Sequence, residues 1–265
     1  MGTVETIKKG FSLSVKLKKV ILIFFGLNTI MGLISLPLAR PENAGNPGTI
    51  AISFILSVIF FVIFVFLQGG ALGLARDVHK TGDANMSNFV AYGKKYYVKI
   101  LSLLLLYVLI AGALVLVLGL AGSGILALMN NLFTRTLIGV VAGTAAFFLI
   151  VLLLFPIYAI IADEAGVVEA LKKGVAIGRE NFWKIAGLFA CLVLISVLVS
   201  LVIGFVIGLI TVPLPFTLTQ IIITIVNSAV QSYIPIVMML ALMGYYLGLA
   251  GKGSGGPQGS SSPPA

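Results

Sequence analysis

Residues 49–75 read "TIAISFILSVIFFVIFVFLQGGALGLA" and contain no charged side chain. As an α-helix this run rises about 40 Å, enough to cross the roughly 30 Å hydrocarbon core of a bilayer with its backbone groups paired inside the helix. On its amino side, "RPENAGNPG" at residues 40–48 is a polar turn punctuated by proline and glycine. Before that turn, residues 20–39 form another apolar run, so the two runs make one transmembrane hairpin. Working outward, further runs fall at about 100–120, 137–162, 185–209 and 219–249. The expected architecture is all-α and polytopic, with six transmembrane helices in residues 1–250. The remainder, 251–265, is Gly, Ser and Pro and is expected to be a disordered tail.

Composition agrees. Apolar residues make up 60% of the 265-residue chain, charged residues 9%, and the mean hydropathy is +1.17, where a soluble domain carries about 25% charged residues. That leaves no room for a second, water-soluble domain. The single cysteine, Cys191, excludes an intrachain disulfide framework.

Lysine and arginine are unevenly placed. Fifteen of the 17 fall before span one, between spans two and three, between spans four and five, or after span six. Only Arg40 and Arg135 fall in the other loops. By the positive-inside rule both termini are expected in the cytoplasm. A cleavable signal ending at "LPLA", residues 36–39, is disfavoured by the long basic start and by Pro37 at the cut.

A charged phrase recurs. "VETIKKG" at 4–10 returns as "VEALKKG" at 168–174, and "GKKYYVKI" at 93–100 matches "GRENFWKI" at 178–185, which sets a period of 80 to 85 residues. At 100° per residue, Val168, Leu171, Val175, Gly178 and Phe182 share one side, with Glu169, Lys172, Lys173, Arg179 and Glu180 on the other. The chain therefore reads as three repeated units, each an amphipathic cytoplasmic helix followed by a transmembrane hairpin. Lys8, Lys9, Lys94, Lys95, Lys172, Lys173 and Trp183 are the candidate contacts for lipid headgroups, anionic ones included.

Residues 155–187, "FPIYAIIADEAGVVEALKKGVAIGRENFWKIAG", carry a family resemblance. The proline-bearing span end, Asp163 at the membrane exit, Gly166-Val167, Ala170-Leu171-Lys172 and Asn181-Phe182-Trp183 resemble bacterial and archaeal six-span membrane proteins. These are similar to the membrane domain fused to some glycerophosphoryl diester phosphodiesterases. The resemblance implies a six-helix domain in a prokaryotic cytoplasmic membrane. It does not bring the phosphodiesterase activity, which belongs to a separate soluble domain.

Catalytic chemistry is not expected. The one histidine, His79, reads as a solvated loop residue, and no metal cluster or cofactor site is apparent. Adjacent Asp163 and Glu164 would point about 100° apart on a helix, and read as capping and first-turn acids of the helix that follows. Charged residues are absent from the span centres, which argues against ion-coupled transport through buried charge. Neutral polar residues do occur there: Asn28, Gln68, Tyr158 and the stretch "NSAVQSYIP" at 227–235. Gln68, Asn227, Gln231 and Tyr233 form the candidate intramembrane polar site. The last segment is too long for one simple span, so it either begins outside the membrane or breaks near Pro235. Glycine pairs 69/73, 139/143, 204/208 and 244/248 each read GxxxG and imply close helix packing, within the chain or between chains. The expected role is non-enzymatic, through association with lipid, another membrane protein or a second copy, with nucleic acid excluded. A permease for a neutral or weakly polar solute is the alternative.

Overall fold

The computed structural model describes residues 2–38, 40–43, 45–129 and 131–253. The tail expected to be disordered falls largely outside them. Among the described residues there are nine α-helices, two short 3-10 turns and no strand. The helices are α1 (Thr3–Ser14), α2 (Lys18–Ser35), α3 (Pro47–Thr81), α4 (Asn88–Leu128), α5 (Leu132–Leu153), α6 (Pro156–Ala162), α7 (Val167–Glu180), α8 (Phe182–Thr211) and α9 (Phe216–Gly253). Six helical segments are long and apolar enough to cross a membrane: α1 running through a 3-10 turn into α2, then α3, α4, α5 with α6, α8, and α9.

Local chemistry sets the ends. Asn46 caps α3, its side-chain oxygen accepting from Gly48 N at 2.9 Å, and Pro47 supplies the preset φ of the first turn. The helix ends 35 residues later at Gly82, whose φ of 80° suits only a residue without a Cβ. Asn131 caps α5 in the same way through Thr134 N, at 2.8 Å. Pro156 splits the fourth span into α5 and α6 because it has no N–H for the helix ladder. The Leu153 carbonyl at that break accepts instead from Tyr107 Oη at 2.7 Å.

The last helix is the axis of the fold. In its most apolar stretch 61% of residues are buried within the chain, against 6–17% in the other five segments. It is unbroken: Pro235 lies inside α9, so of the two alternatives for this long segment the break near Pro235 does not occur. Its packing partners are chiefly α1 and α2, with smaller contributions from α3, α8 and α6.

Packing is uneven along the bundle. The buried core gathers toward the end that carries the lysines, with Leu72, Leu74, Tyr96, Ile100, Phe155, Ile160, Ile161, Ile185, Leu188 and Tyr246 all sealed. Toward the opposite end, Val115, Leu116 and Val117 of α4, Val140 and Val141 of α5, and Leu201, Val202 and Phe205 of α8 face outward.

The repeated phrase has a packing reason. In both copies the residue after the lysine pair is a buried glycine, and the lysines before it are exposed. A Cβ on Gly10 would stand 2.9 Å from Val237 O of α9, and one on Gly174 would stand 2.5 Å from Pro156 Cδ. Each glycine lets a short surface helix lie directly on a spanning helix. On α7 the bundle-facing stripe is thus Ala170, Gly174 and Gly178, whereas Val168, expected on the apolar side, is 63% exposed.

Candidate functional site

The structure forms two polar sites, one at the charged end and one deeper in the bundle. The first centres on Arg76, in the next-to-last turn of α3. Its side chain is only 11% exposed. Nη1 donates to Tyr96 Oη at 2.9 Å, to Ile161 O at 3.1 Å and to Glu164 Oε1 at 3.1 Å. The guanidinium also lies over the Tyr92 ring, 5.3 Å from its centre. Tyr92 Oη donates to Asp77 Oδ2 at 2.7 Å. One charged fork therefore ties α3 to α4 and to the loop between α6 and α7.

That loop holds the two adjacent acids, and their expected capping role is corrected. Gly166 is the N-cap of α7, and no side chain caps it. Glu164 reaches back to Arg76 and to Lys95 Nζ, at 2.7 Å. Its carboxyl lies below the usual carboxylate range, first because Lys95 donates to it and then because Arg76 does. Lys99 donates to the Glu164 and Ala165 carbonyls at 2.9 and 3.1 Å. Asp163 turns the other way, pairing with Lys173 Nζ at 2.8 Å and accepting from Tyr246 Oη of α9. The divergence is possible because Glu164 sits at φ 56°, in the left-handed region.

His79 is also corrected. It lies in the last turn of α3, half-buried, and a Cβ on Gly244 of α9 would stand 2.6 Å from its Nε2. A helix end continuing past the apolar run places it against α9 and not in a loop.

The second site is a cavity of about 310 Å³ between α2, α3 and α9. Polar lining comes from Asn28, Gln68, Gln231 and Ser232, and the remainder from Phe24, Phe60, Phe64, Pro235, Ile236 and Met239. Gln68 precedes Arg76 by eight residues, or about 12 Å along the helix, which puts the cavity well inside the apolar zone. Asn28 Nδ2 donates to Ser232 Oγ at 3.0 Å.

Of the four residues expected to share a polar site, Gln68 and Gln231 come together here and the other two do not. Asn227 lies one turn along α9, outside the lining, and like Gln231 it is exposed. Tyr233 points to the opposite flank, where its ring sits 6.3 Å from Phe11 and its hydroxyl accepts from Ser14 Oγ at 3.4 Å. Asn28 was legible as a polar residue in a span; Ser232, inside "NSAVQSYIP", carried no signal of its own.

The headgroup candidates divide. Lys8, Lys9, Lys94 and Lys172 are exposed, whereas Lys95 and Lys173 are engaged by Glu164 and Asp163. Trp183 is 82% exposed, its ring edge-on to Phe182 at 5.3 Å. Phe182 in turn lies 4.6 Å from Phe148, which lines an almost wholly apolar groove of about 840 Å³ between α4 and α5.

Residues 1–249 match a family described as a domain of unknown function, DUF7847. The chain belongs to that family. No curated protein and no solved structure matches it. The DUF7847 match spans all six apolar segments and both polar sites.

Proposed function

We propose that the chain is a non-enzymatic integral membrane protein that acts by binding membrane lipid, with another membrane protein or a second copy as a further associate. The groove between α4 and α5 carries this reading. Ile110, Ala113, Leu114, Val117, Val140 and Phe148 are among the residues that line it, and Thr144 is its one polar side chain. This aliphatic and aromatic lining suits acyl chains. At its charged end it meets α7: Leu152 of the lining is in contact range of Gly178, whose added Cβ would stand 3.2 Å from Leu152 Cα. The exposed Lys172 and Arg179 of α7 would then lie at headgroup level, where each basic residue adds about 1 kcal/mol of attraction to an anionic leaflet. Glycines 139, 143, 204 and 208, where an added Cβ would meet nothing within 4 Å among the described residues, suit close approach of a second helix.

In the same reading, the lysine-bearing end is cytoplasmic and the membrane is the prokaryotic inner one. The three-unit organisation is supported by a repeated relation: α1 lies on α9 at Gly10, α4 on α3 at Gly93 and Gly69, and α7 on α6 at Gly174. Each unit's first helix, on the expected amphipathic pattern, thus packs on the end of a preceding span, and the first closes on the last. The likeness to phosphodiesterase-fused membrane domains rests on the motif at residues 155–187 and on the hydropathy pattern of residues 1–250.

The test is lipid retention. Protein purified in mild detergent from membranes of known composition should carry phospholipid detectable by native mass spectrometry. Filling the groove with Ala113→Phe and Ala145→Phe should remove most of it. Equal retention by the filled variant would refute the groove as the binding place. Gln68 and Gln231 in one cavity favour a second reading, a permease for a neutral solute.

A further inference from the structure

The α2–α3–α9 cavity holds more hydrogen-bonding capacity than the chain satisfies. Neither the Gln68 nor the Gln231 side-chain amide has a hydrogen-bond partner among the described residues, and the Asn28 carbonyl oxygen likewise accepts nothing from them. Pro235, four residues after Gln231, has no N–H to give the Gln231 backbone carbonyl. Amides left bare in hydrocarbon are costly, and the usual remedy in a spanning helix is a partner from a neighbouring helix. Here no neighbour supplies one, although Asn28 and Ser232 show that α2 and α9 are close enough to do so.

The rest of the lining defines what would fit. No ionisable group lines the cavity, so a charged ligand would enter without a counter-charge. Phe24, Phe60 and Phe64 form one aromatic wall, with Phe24 edge-on to Phe64 at 5.8 Å and Phe60 stacked on Phe64 at 5.9 Å. Met239 adds a pliable sulfur surface beside it. The volume of about 310 Å³ is at the small end of ligand sites.

We infer that this cavity is a binding site for a small uncharged molecule with a planar apolar body and an amide or hydroxyl end, held by Gln68, Gln231 and Asn28 against the phenylalanine wall. The inference deepens the permease reading by naming its solute class. It concerns binding, and it stands whether or not the solute crosses.

Thiol protection tests it. In a Cys191→Ala background, single cysteines at Ile236 and, separately, at Met239 report on the lining, and one at Val197, on the outer surface of α8, serves as control. Methyl methanethiosulfonate modifies each in detergent with and without benzamide, benzyl alcohol or benzoate at neutral pH. Benzamide or benzyl alcohol at about four times its Kd should slow modification of the lining cysteines about fivefold, while benzoate and the Val197 control show no comparable slowing. Gln68→Leu with Gln231→Leu should abolish that protection while the lining cysteines still react. Protection by benzoate equal to that by benzamide, protection that survives the leucine pair, or protection shared by the Val197 control would overturn the inference. So would free reaction of the lining cysteines under both neutral probes, which would mark a water-filled pocket without a ligand. Failure to see transport in vesicles, with protection intact, would sink the permease reading and leave the site standing.

Discussion

Gly174→Ala adds one methyl group at the place where α7 lies on the Pro156 ring. The new Cβ would stand 2.5 Å from Pro156 Cδ, where carbon atoms pack at about 3.5–4.0 Å, so the surfaces must part by roughly 1 Å. Little is free to give way. The obstacle is a proline ring, and α7 is pinned by the Lys173–Asp163 pair and by Gly178 against Leu152. Overpacking of this kind costs about 1–3 kcal/mol. Alanine's better helix propensity returns about 0.5–1 kcal/mol, which leaves a net loss of about 1 kcal/mol at mid-range and at most about 2.5 kcal/mol. For a chain of this size each kcal/mol lowers the melting temperature by about 2–4 °C. Gly187→Ala in α8 is the control, because its added methyl group meets nothing within 4 Å; it should be neutral or stabilising. The assay is thermal unfolding in one detergent, followed by size-exclusion chromatography with fluorescence detection. If Gly174→Ala melts at or above Gly187→Ala, the close approach of α7 to Pro156 is not what holds this helix in place.

Arg76→Lys keeps the charge but cannot reach Tyr96, Ile161 and Glu164 together; it should cost about 1–2 kcal/mol through lost charged hydrogen bonds, read by the same melting assay. The Glu164 carboxyl is held below its ordinary value, so its pairs with Lys95 and Arg76 contribute fully above about pH 4.3. That contribution is lost as pH falls through the lowered value, so the melting temperature should drop more steeply with acid in the native chain than in Glu164→Gln. Pro235→Ala gives the Gln231 carbonyl a donor within α9 and should raise thermal stability, by up to about 3 kcal/mol; a lower melting temperature would show that the proline is accommodated without loss. Lys172→Ala with Arg179→Ala should weaken binding to anionic vesicles, with little change for neutral ones, in a flotation assay at low salt.

The spans were legible because a run such as residues 49–75 has no other regular structure open to it. Their assembly was not. Gln68 and Gln231 could be recognised as polar groups at membrane depth, but nothing in one sequence says which helices touch. Tyr233, two positions from Gln231, lies about 200° round the helix and so faces α1. Asn227 shares a face with Gln231 but lies about 6 Å farther along the axis, beyond the cavity. Arg76 and His79 looked like loop residues because hydropathy marks where the hydrocarbon ends, whereas α3 continues two turns past that point. The signal that could have found the Arg76 site is Tyr92 and Tyr96, spaced to line one side of α4 opposite a lone arginine. Gly10 and Gly174 were visible as parts of a repeated phrase, yet their role depends on which spanning helix each one meets.

The outward-facing halves of α4, α5 and α8 bear on how such a chain can drift over generations. A valine that touches only lipid can become leucine, isoleucine or phenylalanine with almost no effect on folding, since bilayer tails distinguish poorly among them. Two descendants of one ancestor can therefore differ at many lipid-facing positions of these helices while Gly10, Arg76, Glu164 and Gly174 stay bound by their neighbours. Kinship in such proteins is then carried by the packed residues at the charged end of the bundle, such as Leu72, Tyr96, Phe155 and Tyr246.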